Sequence, residues 1–158
     1  MRNDHAMTVT VSGIAELKGK AGEHLGYSEW HDVTQDQVNL FADATGDHQW
    51  IHVDPERAKK ESPFGGPIAH GYLTLSLAPA LLPQVLQVQG ISMGVNYGCN
   101  KVRFPSPVPV GARVRAGAQL ASVDDVPGGA QVTMDVTFEV EGQEKPACVA
   151  QVVYRYYE

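Results

Sequence analysis

The chain has 158 residues, of which 43% are hydrophobic, enough to bury the core of one domain. Its 12 basic and 18 acidic residues give a formal net charge of −6, and lysine and arginine form no run, which argues against nucleic-acid binding. The two cysteines, Cys99 and Cys148, are expected to be reduced and to behave as small buried apolar residues, with a single disulfide as the alternative.

The N-terminal stretch "MRNDHAMTVTV" lacks the apolar run of a signal peptide, which predicts a cytoplasmic protein. Residues 1–7 are expected to be a disordered N-terminal extension. Neither repeats nor linkers interrupt the sequence, so residues 1–158 are expected to form a single domain.

Two helices are predicted on either side of a polar stretch in the first half of the chain. In "VTQDQVNLFADATG", Thr34 is a capping residue, Gln37 completes a capping-box pattern and Gly46 ends the helix. In "VDPERAKKE", Asp54 is the cap and Pro55 takes the first helical position. The ten residues between the two helix signals are therefore predicted to be a loop.

The most apolar segment is "IAHGYLTLSLAPALLPQVLQV", which has the length of a membrane span. Polar residues and prolines interrupt it, so it is predicted to be a buried core helix, and no membrane contact is expected. The helix is expected from about Gly71 toward Val88. Pro79 and Pro83 are expected to kink or shorten it, because each removes a backbone hydrogen bond.

The second half of the chain has the pattern of strands. "AQVTMDVTFEVEG" alternates apolar and polar residues, "PGG" at 127–129 is a turn, and "ACVAQVVYRYYE" closes the chain as a further strand. Helices followed by a run of strands predict an α+β fold. One very apolar helix among strands with a single apolar face suggests an antiparallel sheet wrapped around that helix.

The stretch "GDHQWIHVDP", Gly46 to Pro55, holds two histidines and two aspartates. His48 and His52 have the spacing of a zinc-binding H-E-x-x-H helix, but Gln49 stands where that motif needs a glutamate base. Because a loop is expected here and no third ligand stands nearby at a recognisable spacing, a metal site is not predicted.

Asp47 and His52 are instead candidates for an acid–base pair, because a carboxylate and an imidazole in a folded-back loop can share one water. The alternative is structural, with Asp47 as a turn cap and His52 in a polar hole. Further along, Gly71 stands where a loop enters the apolar helix, and its free amide is suited to polarising a carbonyl oxygen. Tight packing at Gly71 and a satisfied, partly buried His70 are the corresponding structural alternatives.

The segments "FADATGDHQWIHVDPERA" and "GGPIAHGYLTLSLAPAL" together resemble the MaoC-like (R)-specific enoyl-CoA hydratase and acyl dehydratase family. "KVRFPSPVPVGARVRA" is similar to a strand-and-turn segment of the family, and "NYGCNKVRF" and the tryptophan look most like its NodN-type single-domain branch. The resemblance covers about Thr34 to Val114. It implies a hot-dog fold, in which an antiparallel sheet wraps a long central helix.

By position, the resemblance places the catalytic aspartate on Asp47, the catalytic histidine on His52 and the thioester-binding amide on Gly71. His70 and Trp50 are further substrate-binding candidates. Where the family usually has asparagine–proline, this chain has Gln49–Trp50, and Trp50 is expected to shape the acyl or pantetheine channel. Pro79 takes the place of a serine that some hydratases put near the catalytic water, and Ser76 lies one turn earlier. Basic candidates for the coenzyme A entrance are Arg57, Lys59, Lys60, Lys101 and Arg103.

The implied reaction is the reversible hydration of a trans-2-enoyl thioester to a 3-hydroxyacyl thioester in fatty-acid metabolism. The substrate is an acyl-CoA, with an acyl-carrier-protein thioester as the alternative, and no metal or redox cofactor is expected. The resemblance also implies a homodimer. Two other functions stay open from sequence: a hot-dog thioesterase, because the fold serves both reactions, and a non-catalytic acyl-thioester binding protein.

Overall fold

The computed structural model describes residues 7–158, so the predicted N-terminal extension lies outside the described residues except for Met7. The strands are β1 Val9–Ser12, β2 His24–Tyr27, β3 His31–Asp32, β4 Leu86–Gln89, β5 Met93–Arg103, β6 Arg113–Val126, β7 Gly129–Val140 and β8 Cys148–Tyr157. The helices are α1 Gly13–Lys18, α2 Gln35–Thr45, α3 Trp50–Val53, α4 Pro55–Glu61, α5 Gly71–Ser76 and α6 Ala78–Leu81, followed by a 3-10 turn at Leu82–Gln84.

The main sheet is antiparallel and has the strand order β2-β6-β7-β8-β5, with β3 also paired to β6. A short parallel pair, β1 and β4, lies apart from it. The predicted α+β class is therefore confirmed. The predicted turn at 127–129 joins β6 to β7 as a hairpin, in which Val126 pairs with Gly129.

Strand β7 shows why the sheet has one buried face. Val132, Met134, Val136, Phe138 and Val140 alternate along it, and each is buried. Successive side chains of a strand point to opposite faces, so this alternation places all five against the core. They share one core cluster with apolar residues of the segment after Gly71, so the sheet packs around that segment as expected.

The predicted long central helix is instead three short segments: α5, α6 and the 3-10 turn. The helix breaks at Leu77, where the next segment begins with Pro79 in its first turn, and Pro83 occupies the 3-10 turn. Each proline lacks the N–H that an uninterrupted helix would use. The prediction that the helix runs toward Val88 is wrong, since Leu86–Gln89 forms β4 and pairs with β1.

The helix predicted from "VTQDQVNLFADATG" is confirmed as α2. Thr34 Oγ1 accepts a hydrogen bond from the Gln37 amide at 3.1 Å, while the Gln37 side chain bonds His31 Nε2 at 2.9 Å and ties the helix to β3. Gly46 ends the helix with φ at 84°, a left-handed conformation that glycine adopts without strain. The second predicted helix, α4, begins as expected, with Asp54 accepting from the Arg57 amide.

Strand β5 is an edge strand of the main sheet in the described part of the chain, and most of its residues are exposed. Met93, Val95 and Tyr97 are among its exposed side chains. Cys99 also lies on this strand and is exposed, so its predicted burial is wrong, whereas Cys148 is buried and both thiols are free. In residues 7–158, no helix reaches the length and hydrophobicity that crossing a bilayer requires.

Candidate active site

The stretch between α2 and α4 holds the predicted acid–base pair. The left-handed Gly46 turns the chain at the end of α2, directly before Asp47. The expected loop contains one helical turn, α3, in which the His52 amide donates to the Gln49 carbonyl and the Asp54 amide donates to that of Trp50. A single turn is shorter than the apolar repeat by which helices are recognised in sequence, so it was missed.

His52 is buried, and its backbone surroundings determine its tautomer. Its Nδ1 lies 2.6 Å from the carbonyl oxygen of Ile68, which can only accept, so Nδ1 carries the proton and Nε2 keeps a free lone pair. The His52 carbonyl accepts from Gln35 Nε2 at 2.8 Å, which anchors the residue to α2. Burial lowers the pKa of His52, and the neighbouring His70 lowers it further. This histidine is therefore a neutral imidazole with one nitrogen available as a base.

The Asp47 carboxylate lies beside this imidazole and is about half exposed. A carboxylate oxygen of Asp47 and ring nitrogens of His52 and His70 lie within 4.8 Å of one another. One water with hydrogen bonds of about 2.8 Å can bridge groups at that separation. The structure therefore brings Asp47 and His52 together, in an arrangement where they can share a water.

His70 lies immediately behind the pair and is 3% exposed. Its ring stacks on that of His52 with centroids 3.9 Å apart, and Phe41 of α2 contacts it at 4.9 Å. His70 Nε2 lies 2.9 Å from the backbone carbonyl oxygen of Asp47, to which it donates. The predicted site histidine is thus close to both members of the pair, but it is nearly inaccessible to a substrate.

Gly71 is the first residue of α5 and follows His70 directly. A Cβ atom at this position would stand 3.1 to 3.2 Å from three ring carbons of Phe104. A side chain here would displace the ring of Phe104 by a few tenths of an ångström. Gly71, Phe104 and the buried Thr74 line a cavity of about 350 Å³ at the start of α5.

His48 does not join this cluster. Its Nε2 lies 2.9 Å from Asp43 Oδ1 in an exposed pair, and the hydrogen bond to Asp43 raises the pKa of His48. The spacing of His48 and His52 therefore does not place two imidazoles on one ion.

The residues best placed to hold a metal are Asp47, His52 and His70. His52 Nδ1 and His70 Nε2 both donate to backbone carbonyls, so each ring offers only its other nitrogen to an ion or a water. The two rings are stacked with planes 27° apart, and the third group, Asp47, is about half exposed.

Trp50 is the first residue of α3, two residues before His52, and the guanidinium of Arg57 lies 4.4 Å from its ring centroid. Arg57 also bonds Glu61 at 2.7 Å, so this cation is already engaged on the protein surface. The expected role of Trp50 in a substrate channel stays a prediction. Ser76 lies one turn before Pro79, the position where some hydratases have a serine. Its Oγ donates to the Tyr72 carbonyl at 2.6 Å, so the hydroxyl proton of Ser76 is already engaged.

A second cavity of about 340 Å³ lies between the segmented helix and the sheet. It is lined mainly by apolar side chains, including Pro79, Leu82 and Met134, and by two tyrosines, Tyr154 and Tyr156. Burial raises the pKa of Tyr156 to about 12, so this phenol stays neutral within the cavity. The Pro79 that departs from the family pattern therefore lines an apolar space.

Three contributors to the site were not predicted from sequence: the Ile68 carbonyl, the Gln35 side chain and Phe104. Ile68 is held in place by its own amide, which donates to the Ile51 carbonyl at 3.1 Å, and by a bridge to Pro109. A carbonyl carries no side-chain signal in the sequence. Gln35 sits in the first turn of the predicted α2, and a polar residue there resembles an ordinary solvent-facing one.

Comparison with known proteins agrees with the architecture. The MaoC like domain family matches residues 16–142. The 3-hydroxyacyl-thioester dehydratase Z of Mycobacterium tuberculosis is 57% identical over 148 residues, covering 93% of this chain and 97% of that protein. Nodulation protein N of Rhizobium leguminosarum is 48% identical over 140 residues, covering 87% and 86%. A solved (R)-hydratase from A. caviae, named as involved in PHA biosynthesis, superposes with a TM-score of 0.67 and 26% identity, covering 85% and 94%.

The fold and the site define a hot-dog enzyme of the hydro-lyase class. The chain belongs to the MaoC-like dehydratase family and matches its NodN-type single-domain branch.

Proposed function

We propose that this protein is an (R)-specific enoyl-CoA hydratase, which reversibly adds water to trans-2-enoyl-CoA to give (R)-3-hydroxyacyl-CoA. The observation that carries the proposal is the pairing of the Asp47 carboxylate with a buried His52 whose Nε2 lone pair is free. The names of the similar proteins support it, since one is a 3-hydroxyacyl-thioester dehydratase and another an (R)-hydratase.

In the hydration direction, Asp47 and His52 hold one water between them. His52 Nε2 takes a proton from the water as its oxygen bonds to C3, and the resulting imidazolium delivers that proton to C2. The C2–C3 double bond becomes single, and the catalytic pair returns to its starting protonation state. The reaction consumes only water, so no metal or redox cofactor is proposed. Assigning His52 as the acceptor follows from its tautomer, because Nδ1 already donates to Ile68.

The Gly71 amide is proposed to stabilise the negative charge that develops on the thioester carbonyl oxygen. A donor in this role typically contributes a factor of 10²–10³ in rate. The position of Gly71 as the first residue of α5 supports this assignment, because the first amides of a helix have no intrahelical partner.

The apolar cavity beneath α6 is proposed to hold the acyl chain. Pro79 and Leu82, which line it, lie 8 and 11 residues beyond Gly71, on the segments that follow α5. Medium-length acyl groups are the proposed substrates.

A homodimer in the cytoplasm is the proposed state of the enzyme. The free edge of β5 supports it, because an exposed edge with Met93, Val95 and Tyr97 offers a second copy both backbone hydrogen bonds and apolar contact. The proposed substrate is a thioester of coenzyme A. The alternative is a thioester of an acyl carrier protein.

The first experiment follows the loss of enoyl-thioester absorbance with crotonyl-CoA, octenoyl-CoA and decenoyl-CoA. Asp47→Asn and His52→Gln are each expected to lower the rate by at least 10²-fold, the lower range for acid–base groups. Asp43→Asn and His48→Gln are matched controls, since they alter an exposed aspartate–histidine pair outside the site. Chiral analysis of the product tests the (R) assignment. Release of free thiol would indicate a thioesterase, and binding without turnover across the series would refute the proposal.

A further inference from the structure

His70 touches both residues of the acid–base pair without access to the substrate. It is 3% exposed, its Nε2–H donates to the Asp47 carbonyl at 2.9 Å, and its ring stacks on His52 at 3.9 Å. The same Nε2 lies 4.0 Å from Asp47 Oδ2. Phe41 packs against the imidazole from α2, so the ring is fixed on several sides. His70 thus connects the backbone of Asp47, which precedes α3, to the ring of His52 within α3.

The other nitrogen of His70 has no partner. Nδ1 is buried and makes no hydrogen bond in the described part of the protein. Because Nε2–H donates to Asp47, Nδ1 is a buried ring nitrogen without a hydrogen-bond partner among the described residues. Leaving such a group unsatisfied costs about 1–3 kcal/mol. An apolar ring of similar size would avoid this cost but would lose the hydrogen bond to the Asp47 carbonyl, so the two effects on stability oppose each other.

We propose that His70 is a positioning residue, whose buried imidazole sets the spacing of the Asp47 carboxylate and the His52 ring. This inference rests on the proposed function, in which the two groups hold one water. Its hydrogen bond fixes the Asp47 backbone, while the stacked ring fixes the plane of His52. An error of about 1 Å in such an arrangement can cost 10²-fold in rate. The substrate-binding role expected for His70 from sequence is thereby replaced by one that acts through its neighbours.

The stacked ring also has an electrostatic effect. Burial has the largest effect on the pKa of His52 and lowers it. The hydrogen bond to the Ile68 carbonyl raises this pKa, His70 lowers it, and the charge of Asp47 raises it. Removing His70 is therefore expected to raise the pKa of His52. The acid limb of kcat/KM should then move to higher pH, because His52 must be neutral to accept a proton.

The test compares His70→Phe, which keeps a buried ring but loses the donor, with His70→Gln, which keeps an amide donor but loses the ring. His31→Phe is the control, since it removes a histidine that hydrogen-bonds outside the site. For His70→Phe we expect kcat to fall about 10- to 100-fold, with KM within about twofold and an unchanged or higher Tm. His70→Gln should recover part of kcat, while its acid limb stays shifted.

Wild-type kcat and pH profile in His70→Phe would overturn the inference. Unfolding of both variants would overturn it as well, because His70 would then serve stability. An NMR titration of His52 in the unmodified protein and in His70→Phe provides a readout that does not need turnover. If the unmodified protein hydrates none of the enoyl thioesters, the proposed function fails, and an unchanged His52 titration would separately refute the role of His70.

Discussion

The substitution Gly71→Ala separates the proposed role of the Gly71 amide from its role in packing. The backbone of Gly71 is not left-handed, so alanine meets no conformational penalty there. The new Cβ would stand 3.1 to 3.2 Å from the ring of Phe104, about 0.4 Å closer than the optimum for two carbon atoms. Phe104 is 42% exposed and can move toward solvent.

The expected change in stability is therefore small. Alanine gains up to about 1 kcal/mol over glycine within a helix, and displacement of the ring offsets part of that gain. A net change within about 1 kcal/mol corresponds to a Tm shift of roughly 2–4 °C for a chain of this size. Activity should change far more, because the methyl group occupies the approach to the amide. A loss of about 10²–10³-fold in kcat matches the loss of one such donor.

Enoyl-CoA hydration and thermal unfolding measured on the same preparations test this prediction. Gly66→Ala is the matched control, since it lies in the same loop, has no left-handed backbone and would place its Cβ in open space. Gly71→Ala with Phe104→Leu relieves the steric contact and is expected to remain slow. Near-normal turnover in Gly71→Ala would refute the assignment of the amide to the thioester carbonyl.

Three further outcomes are expected. Burial lowers the pKa of His52, so kcat/KM should keep its value as the pH is lowered somewhat below 6.5, and a pH–rate curve checks this. The free energy of unfolding should decrease as the pH is lowered through the same range, because His52 of the unfolded chain binds a proton more readily than His52 of the folded chain, and pH–melting curves check this. Leu82→Trp should fill the apolar cavity and shift preference toward crotonyl-CoA over decenoyl-CoA, and equal losses on both would contradict an acyl site there. Thr34→Ala should cost about 1 kcal/mol of unfolding free energy by removing the cap of α2, measurable by urea titration, whereas Thr8→Ala serves as an exposed control.

The elements with strong local signals were predictable from sequence. The caps Thr34 and Asp54 and the alternation along β7 identify their elements, because each depends on residues close in the chain. The end of the apolar helix was not predicted, because the alternation in Leu86–Gln89 spans only four residues, too few to distinguish a strand from a helical turn. This segment becomes a strand by pairing with β1, which lies far away in sequence. Pairing partners of this kind carry no local signature.

The site divides in the same way. Asp47, His52 and Gly71 are indicated by a motif; the structure brings Asp47 and His52 together, and Gly71 directly follows His70, which contacts both. The tautomer of His52 depends on the Ile68 carbonyl, 16 residues away in the chain. The stacking of His70 on His52 depends on how the two segments that carry these rings pack together. These features decide which nitrogen can accept a proton, and only the folded arrangement determines them.

The free edge of β5 also bears on how the chain selects a partner. Backbone N–H and C=O groups are the same in every sequence, so the edge of a strand can pair with any related chain that offers a matching edge. In the proposed homodimer, discrimination between a second copy and a related chain then falls to the exposed side chains Met93, Val95 and Tyr97. A substitution at one of these positions would change which chains pair without altering the acid–base residues.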